Sequence, residues 1–356
     1  MKRIPYNIVE LPEDDKEFVK ENFPPIPAYD LVMYDIPQYK GAGMPRFPRR
    51  FAENIAERIY NLELRSDDIF IVSYPKTGTS LTLEMVWMMV NNRVSNNQIP
   101  QTLIIYLNPQ TELADSPQLL RCPWLECWTF LNSPSLESIG IKHEDPKMKA
   151  YLDDSVEYVA NMEGRRVIKT HLPLQLLPPD LKDKCKVIYV SRNPKDTAVS
   201  LFYYYKGWPM FKGPFESCMD MFEKGWHFYG DYFQHLISGW TERDHPNVKF
   251  LWYEDMRKDI PGTIKSLSAF LEHPVPAENL DKLAENLKFE NMKKNTHITP
   301  TSGVKLPGKS TFMRKGIVGD CKNHFDEEMM KSWDKLIPER LAGTGLEHSE
   351  VIKLKM

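Results

Sequence analysis

The chain has no stretch, in 356 residues, approaching the ~20 consecutive apolar residues that span a bilayer. Its richest apolar run, near Met85–Val90, is short and opens a helix-like segment. Met1–Glu10 lacks the apolar centre of a secretory signal, so a cytoplasmic location is expected. Cysteine is scarce: Cys122, Cys127, Cys185, Cys218 and Cys321 are odd in number and irregular in spacing. The four residues between Cys122 and Cys127 do not match the common zinc spacings. Buried, reduced thiols are expected, and no metal site. There is no excess of basic charge either. A net charge of −3 argues against a nucleic-acid binder, which carries a basic domain or stripe. Repeats and low-complexity tracts are absent, and 42% hydrophobic with 27% charged residues suits a globular enzyme.

Proline is plentiful where the chain begins. Pro24, Pro25, Pro27, Pro37, Pro45 and Pro48 predict an extended arm over residues 1–50 that lies on a core, with one globular domain over 51–356. Four short apolar runs follow: Ile69–Val72, Arg166–Lys169, Val187–Val190 and Val248–Tyr253. Most are rich in β-branched residues, and two lack alternation, as strands covered on both faces do. Helical patterns separate them at Thr79–Asn91, Thr197–Lys206, Met219–Trp240 and Gly262–Leu271. Strands alternating with helices predict an α/β domain whose central parallel sheet is flanked by helices. Ligands of such sheets bind beyond the carboxyl ends of the strands, so the residues there matter most.

The first run leads into Ser73-Tyr74-Pro75-Lys76-Thr77-Gly78-Thr79-Ser80-Leu81. Gly78 permits a tight turn, Thr77, Thr79 and Ser80 offer hydroxyls, and Lys76 offers a charge beside a helix N-terminus. That is the equipment of a P-loop-like anion site. It is not the ATP-type loop, because Lys76 precedes Gly78 and no glycine opens the loop. An ordinary turn and helix cap is the alternative.

The third run leads into Arg192-Asn193-Pro194-Lys195-Asp196, in which Asn193 caps a helix starting at Pro194 and Asp196 sits near a capping-box position. Arg192 at the strand end suits a phosphate through its forked donors, and a structural salt bridge is the alternative. Ser200 lies about two turns into the helix. After the second run, Lys169-Thr170-His171-Leu172-Pro173 places a histidine at a strand end. Alone it would be a satisfied core residue. Beside cationic lysines, which lower an imidazole pKa, it is a candidate general base.

Together these segments resemble the cytosolic sulfotransferase family over about Asp67–Phe325, with insect members that carry a long insertion as the nearest pattern. Five motifs stand in the family's order. They are Lys76–Leu81, Arg121-Cys122-Pro123-Trp124-Leu125-Glu126, Lys169–Pro173, Arg192–Ser200 and Phe312-Met313-Arg314-Lys315-Gly316. The resemblance implies transfer of a sulfuryl group from 3′-phosphoadenosine 5′-phosphosulfate (PAPS) to the hydroxyl of a small apolar or phenolic acceptor. The product would be 3′-phosphoadenosine 5′-phosphate (PAP), and no metal, nucleic acid or membrane would take part. It implies His171 as base, Lys76 at the leaving oxygen, Lys169 on the transferring oxygens, and Ser200 linking the 3′-phosphate to Lys76. Lys76, Thr77, Gly78, Thr79, Ser80 and Leu81 would hold the 5′-phosphosulfate. Arg192, Ser200 and Arg314 would clamp the 3′-phosphate, with Phe312, Met313, Lys315 and Gly316 in the same closing loop. Tyr253, Leu287, Phe289 and Met292 would enclose the adenosine. Pro75, Trp124, Cys127 and Tyr204 match acceptor-lining positions, beside Trp128, Phe130, Phe202 and Tyr203.

Several positions depart from that pattern. Leu81 and Cys321 stand where relatives carry tryptophan, and Leu287 where threonine is usual. The family's homodimer motif is not intact, since its Thr-Val pair is missing and Lys331 takes the glutamate position. Residues 132–161 read as an insertion, either a lid or a surface loop. Two further readings stay open. One is a dehydratase that sulfonates an allylic alcohol and releases sulfate as an alkene forms. The other is a non-catalytic protein that binds PAPS or PAP.

Overall fold

The computed structural model describes residues 2–23, 30–39, 43–92, 118–127, 146–207, 211–295, 298 and 313–353. The N-terminal residues differ from the extended arm predicted for them. They form strands β1 (Ile8–Glu10), β2 (Leu31–Tyr34) and β3 (Arg46–Pro48), an antiparallel sheet in the order β1-β2-β3, with helix α1 (Glu13–Asn22) between the first two. Val32, Tyr34 and Phe47 enter the core that covers one side of the central sheet, so this sheet is packed into the body. Buried Arg46 pairs with buried Asp15 of α1 and donates to the Gly225 carbonyl at 2.8 Å.

The predicted strands are β4 (Ile69–Ser73), β5 (Val167–Thr170), β6 (Lys186–Ser191) and β7 (Val248–Trp252). They form a parallel sheet in the order β5-β4-β6-β7. Alternate residues of the central strands enter different cores. Phe70 and Val72 of β4 join Val187 and Tyr189 of β6 on one side, while Ile69 and Ile71 join Ile188 and Val190 on the other. This two-sided burial explains the unbroken apolar runs.

The chain leaves β4 for a neighbour on one side and later crosses to β6 on the other. The switch point therefore lies between β4 and β6, where a crevice opens at the strand ends. Register aligns those ends. Val72 lies opposite Thr170, Ser73 opposite Val190, and Ser191 opposite Trp252. The three motif-bearing loops thus emerge at one edge.

Helix α2 (Thr79–Val90) follows β4, and α3 (Pro194–Gly207) follows β6. The single helix predicted over Met219–Trp240 is two, α4 (Phe215–Glu223) and α5 (Tyr232–Thr241). The break holds three left-handed residues, Gly225 (φ 69°), Tyr229 (φ 70°) and Gly230 (φ 79°). A Cβ on Gly230 would lie 2.7 Å from the Gly43 carbonyl oxygen, so the close pass of the N-terminal segment requires glycine there. Tyr253, predicted to end the last strand, instead opens helix α6 (Tyr253–Lys258). All five cysteines are buried, and none is paired in a disulfide among the described residues. Among the described residues no helix is long and apolar enough to cross a membrane.

Candidate active site

The loop after β4 turns through two left-handed residues, Lys76 (φ 72°) and Gly78 (φ 110°). Gly78 is the N-cap of α2 and has no side chain with which to cap it, at an end of the helix where amides can serve a ligand. Two of the three hydroxyls expected there do structural work. Thr77 is fully buried and donates to the carbonyls of Tyr74 at 2.7 Å and Val190 at 3.0 Å, tying the loop to β6. Thr79 Oγ1 lies 2.7 Å from Ser73 Oγ. Lys76 and Ser80 are half-buried, and Leu81 is buried.

His171 leaves β5 beside this loop. Its Nδ1 is 2.6 Å from the Ser73 carbonyl, and its own carbonyl lies 3.1 Å from Nε2 of the buried His235. A carbonyl only accepts, so Nδ1 carries the proton and Nε2 presents a lone pair. Burial, reinforced by the charge of Lys169, holds the ring well below the usual imidazole range.

The segment carrying Trp124 zips onto the end of β5: Leu125 N donates to Lys169 O and Lys169 N to Pro123 O, each at 2.8 Å. This brings Glu126, fully buried, under the end of β5 that carries His171. Its carboxylate accepts from the His171 amide at 2.7 Å and from the Thr170 hydroxyl at 2.8 Å. Glu126 closes the Arg121–Glu126 motif, which by itself gives it no role. The carboxylate's partners lie more than forty residues away in the chain, and only that motif pointed to it.

The cations at this edge rest on aromatic faces. Lys76 Nζ lies 4.8 Å from the Tyr204 ring and Lys169 Nζ 4.4 Å from Trp124. The Arg192 and Arg314 guanidinium carbons lie 4.7 Å from Tyr253 and 4.5 Å from Tyr203. Successive residues Tyr203 and Tyr204 each serve a cation, whereas Tyr205 turns inward to stack on His227. Burial, with the like charges of Arg192, Lys169 and Arg314, pushes Lys76 down to about 7. Burial pushes Lys169 down to about 8, against the opposing pull of Glu126 and Cys127. Among the described residues, Arg192 Nε is buried without a hydrogen-bond partner. An unpaired buried guanidinium N–H and clustered cations beside a helix N-terminus fit a bound polyanion.

Asp196 is not in a capping box. The Asn193 amide, which such a box would satisfy, donates to Glu254 Oε1 at 2.9 Å, and Asn193 Oδ1 itself caps the Lys195 amide at 3.0 Å. Asp196 instead faces the loop that carries Arg314. Ser200 is half-buried on α3, two turns in.

The two candidate binding regions fall into different cores. Leu81, Tyr253, Leu287 and Met292 share one, with Met313 packed against it. Gly316 (φ 66°) sits so close to Phe289 that a Cβ would meet its ring at 2.1 Å. Lys315 is ion-paired with Asp320 at 2.9 Å. Trp124 and Cys127 belong to the other core, with Tyr204, Phe202 and Tyr203 packed against it, and Pro75 is half-buried in the loop after β4. Phe312, Trp128 and Phe130 lie outside the described residues, as does the first half of the predicted insertion. Its second half forms helices Pro146–Asp153 and Ser155–Ala160. Tyr151 of that half bonds both the amide and the carbonyl of Trp124 at 3.0 Å.

Residues 66–345 match the family model described as a sulfotransferase domain. Luciferin sulfotransferase of Photinus pyralis is 30% identical over 302 residues, covering 81% of this chain and 75% of that protein. Sulfotransferase 1B1 of Canis lupus familiaris is 31% identical over 340 residues, covering 93% of this chain and 97% of its own length. The solved structure of retinol dehydratase in a complex with retinol and PAP superposes with a TM-score of 0.80 at 29% identity, over 95% of this chain and 97% of that one.

Proposed function

We propose that this chain, which belongs to the sulfotransferase family, transfers a sulfuryl group from PAPS to the hydroxyl of a small apolar alcohol or phenol, with His171 as the general base. The observation that carries the reading is the convergence of His171, Lys76, Lys169 and Arg192 at one sheet edge, with Nε2 of His171 left as an acceptor. PAPS, when bound, supplies the sulfuryl group.

The protein's own groups then act in defined ways. Nε2 of His171 accepts the proton of the acceptor hydroxyl, while the Ser73 carbonyl keeps the ring oriented. Lys76 and Lys169 hold positive charge where negative charge develops, and their aromatic supports fix their positions before reaction. Arg192 and Arg314 hold the 3′-phosphate. Trp124, Cys127 and Tyr204 form an apolar wall for the acceptor and keep water from the base.

Incubation with sulfur-labelled PAPS and a panel of phenols, steroids, retinoids and other alcohols tests the reading. A labelled sulfate ester supports it. PAP binding with no transfer to any acceptor would leave a binding protein instead. A second reading, dehydration through a transient sulfonated allylic alcohol, is favoured by the likeness to retinol dehydratase along nearly the whole chain. An anhydro product with release of free labelled sulfate would identify it.

A further inference from the structure

The loop carrying Arg314 and Lys315 is tied to the strand end carrying Arg192 by Arg192 itself and by a buried side chain on α3. Asp196, only 1% exposed, sits one helical turn beyond Arg192 on α3. Its Oδ2 accepts from Arg192 Nη2 at 3.1 Å and from the Gly319 amide at 2.7 Å, and its Oδ1 accepts from the Cys321 amide at 3.0 Å. Arg192 Nη2 also reaches the Ile317 carbonyl at 3.1 Å. A second carboxylate, Asp320, finishes the loop. It pairs with Arg314 and accepts from Lys315 at 2.9 Å and Asn323 at 2.9 Å, with His324 at 3.2 Å.

A carboxylate beside an anion site works against binding by charge alone. Its geometry works the other way. Two oxygens satisfy two loop amides and one guanidinium together, and no neutral side chain of that size can accept all three. Arg192 and Arg314 also repel each other, and the two carboxylates between them lower that cost before any ligand arrives. The clamp is thus assembled in advance, and binding does not have to order it.

We propose that Asp196 is the positioning residue of the 3′-phosphate clamp, holding the Arg314 loop against Arg192 so that the site distinguishes a 3′-phosphorylated nucleotide from its unphosphorylated counterpart. This rests on the reading that Arg192 and Arg314 hold a 3′-phosphate. In Asp196→Asn the amide nitrogen faces a backbone N–H of Gly319 or Cys321, and the loop must move. The neutral variant also removes a charge that repels phosphate, so the sign of the effect separates geometry from electrostatics.

Calorimetric titration of wild type and D196N with PAP and with adenosine 5′-phosphate tests the proposal. The ratio of the two affinities should fall by about fivefold or more in D196N, mostly through PAP, as expected for lost charge-assisted hydrogen bonds. Equal weakening of both ligands, a smaller fall in the ratio, or tighter PAP binding overturns the proposal. If wild type does not favour PAP over adenosine 5′-phosphate, the clamp reading itself is wrong. Hydrogen exchange on the ligand-free wild type gives a test that needs no variant. The amides of Gly319 and Cys321 should be protected before PAP is added, and exchange at free-peptide rates until PAP is added would sink the idea.

Discussion

Nδ1 of His171 lies 2.6 Å from the carbonyl oxygen of Ser73, which joins the end of β5 to the end of β4 through the candidate base itself. The contact fixes tautomer and orientation together, and the anion loop begins three residues past Ser73. His171→Ala should therefore lose sulfuryl transfer by about a hundredfold or more while leaving the Kd for PAP within about threefold. Turnover close to wild type would remove His171 from its role. The depressed pKa sets the pH behaviour as well. A group lowered well below its usual value is neutral at every pH above that lowered value. The profile of kcat/KM should then show no inflection near the ordinary imidazole value of about 6.5.

The lysines give the opposite limb. Lys76 at about 7 and Lys169 at about 8 keep their charge below those values and lose it as pH rises through them. An anionic ligand favours the charged forms, so binding above pH 7 must draw protons from solution. PAP affinity should be flat at lower pH and decline through this window. Calorimetry at about pH 8, in buffers of different ionisation enthalpy, should report uptake of about one proton. Proton release, or none, would contradict the arrangement.

Much of this was legible in the sequence. The strands announce themselves because both faces are buried, leaving β-branched runs such as Ile69–Val72 without polar interruption. The strand-end loops follow from glycine, lysine and arginine placed just beyond those runs. The N-terminal sheet was not legible, because strands of three or four residues among prolines carry too little alternation. The split of Met219–Trp240 was hidden by its apolar residues, which continue the helical period while Gly225, Tyr229 and Gly230 turn left-handed. Asp196 looked like a cap because caps are local, whereas the Gly319 and Cys321 amides that it accepts from lie more than a hundred residues further along.

Gly78 carries a constraint that a single methyl group exposes. Its φ of 110° disfavours any side chain, and a Cβ would stand 2.7 Å from Tyr253 Cδ2. Tyr253 in turn supports Arg192. Gly78→Ala should cost about 1–3 kcal/mol where the strained backbone persists, lowering Tm and weakening PAP through both the loop and Arg192. An unchanged Tm together with unchanged PAP affinity would show that neither the loop conformation nor the Tyr253 contact matters.

Glu126 is tested by comparing two substitutions. Its oxygens accept from the His171 amide and the Thr170 hydroxyl, and its charge supports the protonated form of Lys169. In Glu126→Gln the side-chain oxygen still serves the His171 amide, and its NH2 can donate to Thr170 Oγ1 if that hydroxyl turns. Glu126→Ala leaves a buried amide without an acceptor, at a cost of about 1–3 kcal/mol, and frees the strand end that carries His171. If geometry is what Glu126 provides, Gln should keep kcat within about threefold of wild type and Ala should lose it by about tenfold or more, with PAP affinity little changed in both. Gln should also move the alkaline limb of the rate profile to lower pH, because Lys169 loses a neighbour that favours its charge. Equal losses of kcat in Gln and Ala would instead assign Glu126 to electrostatics, and loss in neither would leave it as packing alone.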